Sequence, residues 1–190
     1  MEEDTGPDPA LSWIERIAEG DRGAFENLYN AYQTRLFRYL SRMVNDANLA
    51  EELTNDVMVA VWKGAAGFKG QSKPSTWLFG IARHKALNEL RRPRPMTVEV
   101  ETASAVAASE TGPEGIADRN SVRQNIQRAL EDLSPEHREV VELTFFQGLT
   151  YQEIAEIMQC PINTVKTRMF HAKKRLQEAL RKRGIAGETL

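Results

Sequence analysis

The chain has 190 residues, enough for one or two small domains, and 41% of them are hydrophobic, which excludes a chain that is disordered throughout. Its net charge is only -2, but residues 1–20 are acidic, while residues 166–183 carry eight Lys or Arg against one Glu. Such asymmetry indicates a face that binds a polyanion. A single cysteine, Cys160, excludes a disulfide within the chain and fits a reducing compartment.

Membrane segments and secretion signals are not expected. No apolar run approaches the roughly 20 residues that a membrane span needs. The acidic amino terminus lacks the apolar stretch of a secretory signal. We therefore expect a cytoplasmic protein that does not insert into a membrane.

The amino-terminal half is predicted to be helical throughout. Asp8 and Pro9 can cap and start a first helix, which Gly20 ends, and Asp21 opens a second. Apolar residues of the second helix recur at three- and four-residue steps, so one face is buried. This face comprises Phe25, Leu28, Tyr29, Tyr32, Leu36, Leu40 and Met43.

Two more helices follow before a proline-rich break. Asp46 can cap the third helix, and the fourth begins between Ser72 and Ser75 and runs to Arg92. The predicted buried stripe of the third helix is Leu49, Leu53, Val57 and Val61. That of the fourth is Trp77, Ile81, Leu87 and Leu90.

A linker is predicted after the fourth helix, which Pro93 and Pro95 end. Residues 96–118 contain no Lys or Arg and combine acidic residues with Ala, Ser, Thr and Gly. At about 3.3 Å per residue, the roughly 23 residues can extend about 75 Å. Two domains joined in this way can bind well-separated pieces of DNA.

The carboxy-terminal half is predicted to contain a helix-turn-helix. A helix over 116–133 is followed by one that Ser134 caps, that runs to Phe146 and that Gly148 ends. Thr150 and Glu153 form a capping box for a short helix, Tyr151–Met158. A turn through Pro161 then leads to a basic last helix over about 163–183, the arrangement that reads the DNA major groove.

The last helix is predicted to present one face to DNA. Its core residues are Val165, Met169, Ala172, Leu176 and Leu180. On the outer side Lys166, Thr167, Phe170 and His171 are placed to reach base edges, and Arg168, Lys173, Lys174 and Arg175 to meet phosphates. The alternative is a solvated charged face, which the capped helix in front disfavours.

Two upstream segments carry weaker signals. Residues 68–92 mix cations, small polar groups and aromatics, which suits opened DNA, although Trp77 and Phe79 can equally be core residues. Glu52, Asn55 and Asp56 share one side of the third helix beside apolar Val59, and such a patch suits a protein partner. From spacing alone, an ordinary amphipathic helix explains that patch as well.

With these segments in place, the chain resembles the extracytoplasmic-function (ECF) sigma factors of the sigma-70 family. Residues 50–62 look like conserved region 2.2, residues 75–92 like regions 2.3 and 2.4, and residues 133–168 like region 4. Each motif alone is only moderately specific for this family, but three of them in the family's order, across a linker, form a strong signal. The resemblance implies an all-α fold with an acidic N-terminal helix, a region 2 bundle, a flexible linker, a region 4 helix-turn-helix and a tail. Their bounds are 1–20, 21–92, 93–118, 119–183 and 184–190.

The resemblance also implies partners and site residues. Region 2.2 would bind the clamp helices of the largest catalytic subunit of core RNA polymerase, here through Glu52, Leu53, Asn55, Asp56 and Val59. Region 2 would capture the opened −10 element, with a base flipped near residues 69–76, through Lys69, Ser72, Thr76, Trp77, Arg83, His84, Asn88, Arg91 and Arg92. Region 4 would read the −35 duplex through Thr164, Lys166, Thr167, Arg168, Phe170, His171 and Lys174. An anti-sigma factor that clamps both regions is a further expected partner, and a stress or envelope response the expected setting.

Some positions depart from the family pattern. Asn55 stands where Gln is common and shortens the core contact, while Asn88 replaces a frequent Asp. His84 stands where Asn is common, so the base preference at the −10 element is expected to differ from that of the family. His171 stands where Arg is common, which predicts a weaker or pH-sensitive contact with the −35 element. Asn163 replaces a frequent Gly, and Asn tolerates unusual backbone better than most residues.

Other classes of function agree less well with the sequence. The three histidines, His84, His137 and His171, lie on separate predicted helices, and no metal-ligand spacing, nucleophile elbow or phosphate loop is present. We therefore expect no enzyme, no cofactor and no metal. The main alternative is a stand-alone helix-turn-helix regulator that binds duplex operator DNA, against which residues 68–92 argue. A structural helical interaction protein fits least, given the charge segregation.

Overall fold

The computed structural model describes residues 8–92 and 125–183, and every regular element in them is a helix. The amino-terminal bundle (residues 8–92) consists of α1 (Pro9–Ala18), α2 (Arg22–Val44), α3 (Ala47–Gly64), a 3-10 turn (Ala65–Gly67) and α4 (Pro74–Arg91). The carboxy-terminal bundle (residues 125–183) consists of α5, described over 125–131, α6 (Pro135–Val141), a π-helical turn (Glu142–Phe146), α7 (Tyr151–Met158) and α8 (Ile162–Lys182). The predicted all-α class is confirmed. The predicted linker and tail, and the predicted start of α5, lie outside the described residues.

Four predicted helix starts are confirmed by side-chain caps, those at Asp8, Asp21, Asp46 and Thr150. The carboxylates of Asp8, Asp21 and Asp46 each accept a hydrogen bond of 3.0 Å from a backbone amide in the first turn of α1, α2 and α3. At α7 the Glu153 carboxylate accepts from the Thr150 amide at 2.7 Å, and the Thr150 hydroxyl accepts from the Glu153 amide at 3.3 Å. These caps satisfy amides that the helices themselves leave unpaired. The predicted cap at Ser134 is wrong: α6 does begin there, but the Ser134 side chain makes no capping hydrogen bond, and its hydroxyl lies 3.0 Å from His137 Nδ1.

The predicted buried stripe of α4 is wrong at Leu90, whereas Trp77 and Ile81 are partly buried and pack against the core. Leu90 is 49% exposed, whereas Leu78, Phe79, Ala82 and Ala86 are fully buried. The helix packs against α2 and α3 and also against α7, so it has no single apolar side that a period of 3.6 residues would reveal. Two alanines at the contacts leave room for these neighbours.

The end of the helix after Ser134 also differs from expectation. The sequence predicts one helix from Ser134 to Phe146, but the α-helix ends at Val141. A wider, π-helical turn follows, in which the Gln147 amide donates to the Glu142 carbonyl at 3.2 Å. Gly148, with φ +69, then ends the element as predicted. A π-helical turn of this kind is rare and has no sequence signature.

The two bundles pack directly against each other, with α2 and α4 facing α6, the π-helical turn and α7. Side-chain contacts across this interface include Tyr39 to Glu139, Arg83 to Glu139, Arg42 to Glu142, Lys73 to Glu153 and Arg35 to Gln147. In each ionic contact named, the cation belongs to the amino-terminal bundle and the carboxylate to the carboxy-terminal bundle. The interface therefore has a consistent electrostatic polarity.

Candidate nucleic-acid interface

The helix α8 presents a polar and basic outer face. Val165, Met169 and Ala172 anchor its inner side with at most 2% exposure. The exposed residues on the other side are Lys166, Thr167, Phe170, His171 and Lys174, which are members of the predicted −35 set. Phe170 is 67% exposed, so its ring is accessible to a partner. The first turns of α8 thus offer cations, a hydroxyl and an aromatic ring on one side.

Local packing holds the start of α8 in place. Gln159 adopts the left-handed conformation, with φ 51, at the end of α7, and Pro161 precedes the first turn of α8. Cys160 packs at the edge of the core, and its Sγ lies 3.9 Å from a guanidinium nitrogen of Arg168. The tight turn fixes α8 against the capped α7, which is the geometry of a helix-turn-helix.

A shallow cleft of about 300 Å³ adjoins this face. It is lined by His137, Asn163, Thr164, Thr167, Arg168 and His171. The rings of His137 and His171 lie 6.1 Å apart, and His137 Nδ1 is 3.0 Å from the Ser134 hydroxyl. Burial and the nearby Arg175 and His171 lower the pKa of His137, so its ring is mostly neutral near pH 7.

Sequence reasoning missed His137 as part of this surface. The two histidines lie on separate helices, as predicted, and only the packing of α6 on α8 brings them together. No periodicity or motif within the sequence links the two positions. The predicted helix start at Ser134 places His137 in the first turn of α6 but does not indicate which helix it faces.

A larger cleft of about 570 Å³ lies over α4. Members of the predicted −10 set that line it are Ser72, Thr76, Trp77, His84 and Asn88. Trp77 packs on Phe68 with ring centroids 4.8 Å apart, and Asn88 lies 3.3 Å from the His84 ring nitrogens. The opposite wall comes from α7 and the turn after it, with Glu156, Ile157 and Gln159. Part of the predicted −10 surface is therefore assembled in one place.

The other members of that set lie outside the cleft. Lys69, Arg91 and Arg92 are exposed, and Arg92 pairs with Glu89 at 3.0 Å. Arg83 instead points to the carboxy-terminal bundle, where its Nε donates to the Glu139 carboxylate at 2.9 Å. Thr76, which does line the cleft, is buried, and its hydroxyl has no hydrogen-bond partner within the described residues.

The predicted polymerase-binding residues lie on α3. Glu52, Asn55, Asp56 and Val59 are exposed on one side, and Val59 is 49% exposed. Leu53 is 5% exposed and faces the core, so it supports this surface from beneath. The Asp56 carboxylate pairs with Lys85 of α4 at 3.3 Å, and the Asn55 side-chain carbonyl accepts from the Tyr29 hydroxyl at 3.4 Å. Glu52 and Asp56, together with the exposed Val59, therefore form an acidic patch with an apolar centre.

Neither a metal-binding cluster nor a membrane-spanning helix is present within residues 8–92 and 125–183. These residues contain no group of three or more His, Cys, Asp or Glu that could hold a metal ion. Within the same ranges, no helix combines the length and the apolar character that crossing a bilayer requires.

Comparison with known proteins identifies the family. Residues 28–95 match the model of sigma-70 region 2, and residues 123–176 match that of sigma-70, region 4. The RNA polymerase sigma-H factor of Pseudomonas aeruginosa is 31% identical over 176 residues, which cover 88% of this chain and 91% of that protein. The ECF RNA polymerase sigma-E factor of Escherichia coli K12 is 32% identical over 170 residues, which cover 85% of this chain and 88% of that protein. The chain belongs to the ECF group of the sigma-70 family.

Solved structures share the fold of this sigma factor. CnrH, in complex with the cytosolic domain of CnrY, matches with a TM-score of 0.68 at 20% identity, over 92% of this chain and 99% of that one. The sigma factor RpoE of Bartonella quintana, in complex with the anti-sigma factor NepR, matches with a TM-score of 0.66 at 24% identity, over 83% and 96%. The predicted family and fold are thus confirmed. The protein directs core RNA polymerase to specific promoters for transcription initiation, and the stand-alone regulator is not favoured.

Proposed function

We propose that this sigma factor uses three separate surfaces to bind core polymerase and the two promoter elements. In this proposal residues 1–20 form an acidic helix, 21–92 form region 2, 93–118 a linker, 119–183 region 4 and 184–190 a tail. The acidic side of α3 docks on core polymerase, the cleft over α4 holds the opened −10 element, and the outer face of α8 reads the −35 duplex. Like other sigma factors it acts without catalysis, in the cytoplasm.

The observation that carries the proposal is the outer face of α8. Lys166, Thr167 and His171 are exposed over neighbouring turns at the start of the second helix of a helix-turn-helix. The N-terminal residues of such a helix contact base edges in the major groove, because they point into it. Exposed Arg and Lys further along α8 meet phosphates, which position the protein and make affinity depend on salt.

The −10 surface fits single-stranded DNA. Trp77 offers a ring for stacking, and Ser72, His84 and Asn88 offer hydrogen-bonding groups beside it. Arg91 and Arg92 at the end of α4 supply charge for phosphates. Stacking platforms next to cations are the usual means of holding an unpaired strand.

Control by an anti-sigma factor, in a stress or envelope response, belongs to the same proposal. Two solved structures of this fold contain a bound partner: CnrH is in complex with the cytosolic domain of CnrY, and the sigma factor RpoE is in complex with the anti-sigma factor NepR. An anti-sigma factor that covers α3 or α8 would prevent polymerase or promoter binding.

Run-off transcription on fragmented genomic DNA tests this function. Core polymerase with the sigma factor is expected to give discrete new starts that share two upstream motifs. Asp56→Arg should abolish these starts, because it reverses a charge on the proposed polymerase surface, while Glu15→Arg, the same reversal on exposed α1, should not. If no new starts appear and the protein alone still binds duplex DNA, the chain acts as a stand-alone regulator. Equal starts with both variants would contradict the polymerase surface.

A further inference from the structure

The shallow cleft between α6 and α8 is lined by side chains that donate hydrogen bonds. None of its six lining residues is a carboxylate; they are His137, Asn163, Thr164, Thr167, Arg168 and His171. Two imidazoles, a guanidinium, an amide and two hydroxyls suit an anion with several oxygen atoms. The Thr167 hydroxyl already donates to the Asn163 carbonyl at 2.9 Å, so the imidazoles and the guanidinium are the main donors left.

His137 is held at the wall of this cleft by the start of its own helix. Its Nδ1 lies 3.0 Å from the Ser134 hydroxyl. When Nδ1 accepts this hydrogen bond, the proton of the neutral ring lies on Nε2, and the protonated ring donates from both nitrogens. The centres of the His137 and His171 rings are 6.1 Å apart. Donors on two rings at this separation can reach the oxygens of one phosphate, because such hydrogen bonds are about 2.8 Å long.

The charges around His137 come from both helices that form the cleft. Burial lowers the pKa of His137 most, and Arg175, His171 and Arg168 of α8 lower it as well. Glu136, the neighbouring residue on α6, raises the pKa but does not outweigh the others. A phosphate in the cleft adds negative charge and therefore favours the protonated ring.

His171 has a similar electrostatic setting. It is exposed, and residues three and four positions away on α8 supply the cations Arg168, Lys174 and Arg175. From α6 it meets His137. Like charges around an imidazole favour its neutral form, and a phosphate placed among them reverses this preference.

The position of the cleft indicates which phosphate it would meet. Thr167 and His171 belong both to the cleft and to the face of α8 that carries the proposed −35 contacts. When the start of α8 enters a major groove, a strand of the duplex backbone runs beside it, because phosphates border the groove on each side. A phosphate of that strand is the anion within reach of the cleft.

We propose that His137 is a further DNA contact of this sigma factor, and that together with Arg168 and His171 it binds one backbone phosphate of the −35 duplex. This site rests on the proposed −35 role of α8. Binding of the phosphate is coupled to uptake of a proton by the two histidines. The complex holds this proton more tightly than the free protein does, so the affinity gained is present at low pH and is lost as the pH rises.

Holoenzyme assembled from core polymerase and the full-length sigma factor tests the site. Its affinity for a promoter fragment from the run-off map is measured by fluorescence anisotropy between about pH 6 and about pH 8, at constant salt. Polymerase and DNA are the same in every sample, so a difference between two pH profiles reports the side chain that was changed. Uptake of one proton changes the affinity by at most about tenfold per pH unit.

His137→Gln keeps a donor but cannot be protonated. It should bind like the wild type near pH 8 and less tightly near pH 6, which gives a shallower profile. His137→Lys is charged at every pH in this range, so it should bind more tightly than the wild type near pH 8, a gain that loss of structure cannot produce. Circular dichroism must show that both variants keep their helices.

Arg181→Gln is the control. It removes an exposed cation near the far end of α8, and an arginine stays charged throughout this range. Its affinity at a given pH can differ from that of the wild type, but the slope of its pH profile should be the same.

Three results would overturn the proposal. Parallel profiles for His137→Gln and the wild type would leave His137 a packing role alone. His137→Lys without a gain near pH 8 would show that a charge at this position does not meet DNA. An unchanged salt dependence of His137→Gln near pH 6 would exclude a phosphate contact, since losing one such contact lowers the salt slope by about one. In all three cases the run-off starts remain and the sigma function stands, whereas absence of starts would remove that function and the site with it.

Discussion

At the scale of single residues, the same side-chain type serves different roles in different surroundings. Arg83 pairs with a buried carboxylate, with its side chain 18% exposed, whereas Arg92, 75% exposed, pairs with a neighbour on its own helix. An exposed pair contributes about 0 to 1 kcal/mol and is easily exchanged for a phosphate. A buried pair resists exchange, because the partner left behind would be unpaired.

Lys166→Ala should weaken binding to a −35 duplex by about 1 to 3 kcal/mol, if the ammonium group contacts a base. Lys166 is exposed in the second turn of α8, so its truncation should leave the fold unchanged. Fluorescence anisotropy on the −35 duplex and on a shuffled duplex measures the loss. Lys182→Ala removes the same charge at the far end of α8 and serves as the control. An equal loss on both duplexes would make Lys166 a phosphate contact instead.

Part of this site could be predicted, because a regular helix fixes direction. Once Val165 and Met169 face the core, the period of 3.6 residues places Lys166 and His171 outside. The position of His137 could not be predicted in this way. It depends on how α6 packs on α8, and no local pattern encodes that contact.

At the scale of helices, caps are what the sequence specifies most directly. Asp21, Asp46 and Thr150 were predicted as helix starts because a cap needs only residues two or three positions away. The π-helical turn at Glu142–Phe146 was missed, because its hydrogen bonds are selected by packing rather than by a local motif. The stripe of α4 was only partly predicted for a related reason: three helices share its surface, so Phe79 is buried while Leu90 is exposed.

Thr150→Ala should lower the free energy of unfolding by about 1 kcal/mol, because it removes the hydroxyl that caps α7. A helix of 8 residues is too short to be stable without such support. Urea unfolding followed by circular dichroism measures the change. Thr150→Ser keeps the hydroxyl and should retain most of the stability. If both variants lose the same amount, the methyl group rather than the cap is responsible.

At the scale of the whole molecule, the packing of the two bundles could not be predicted. Tyr39 and Glu139, and likewise Arg42 and Glu142, are separated by 100 residues along the chain. The charge segregation seen in the sequence concerned its two ends, whereas the interface uses charges from the middle of both bundles. Only the three-dimensional arrangement shows that carboxylates on α6 and in the π-helical turn meet arginines on α2 and α4.

Glu153 makes the stability of the molecule sensitive to acid. Burial by itself raises the pKa of this carboxyl, but hydrogen bonds from the Thr150 amide and from Lys73 outweigh burial and lower the pKa below the ordinary value of 4.5. The stabilisation is therefore complete above pH 4.5 and is lost as the pH falls through the lowered pKa. Lys73 is 67% exposed, so solvent screens its stabilisation of the ionised Glu153 carboxylate. The hydrogen bond from the Thr150 amide in the capping box is better protected from solvent.

We therefore expect the free energy of unfolding to fall as the pH is lowered from about 6 to about 3, with Glu153 as one of the carboxyls responsible. In Glu153→Gln the amide cannot ionise, so stability near pH 6 should be lower and its decline towards pH 3 shallower than in the wild type. Urea unfolding at a series of pH values gives both slopes. Glu178→Gln, on an exposed position of α8, should keep the wild-type slope. Parallel profiles for Glu153→Gln and the wild type would mean that ionised Glu153 contributes nothing, and that the cap of α7 depends on the Thr150 hydroxyl alone.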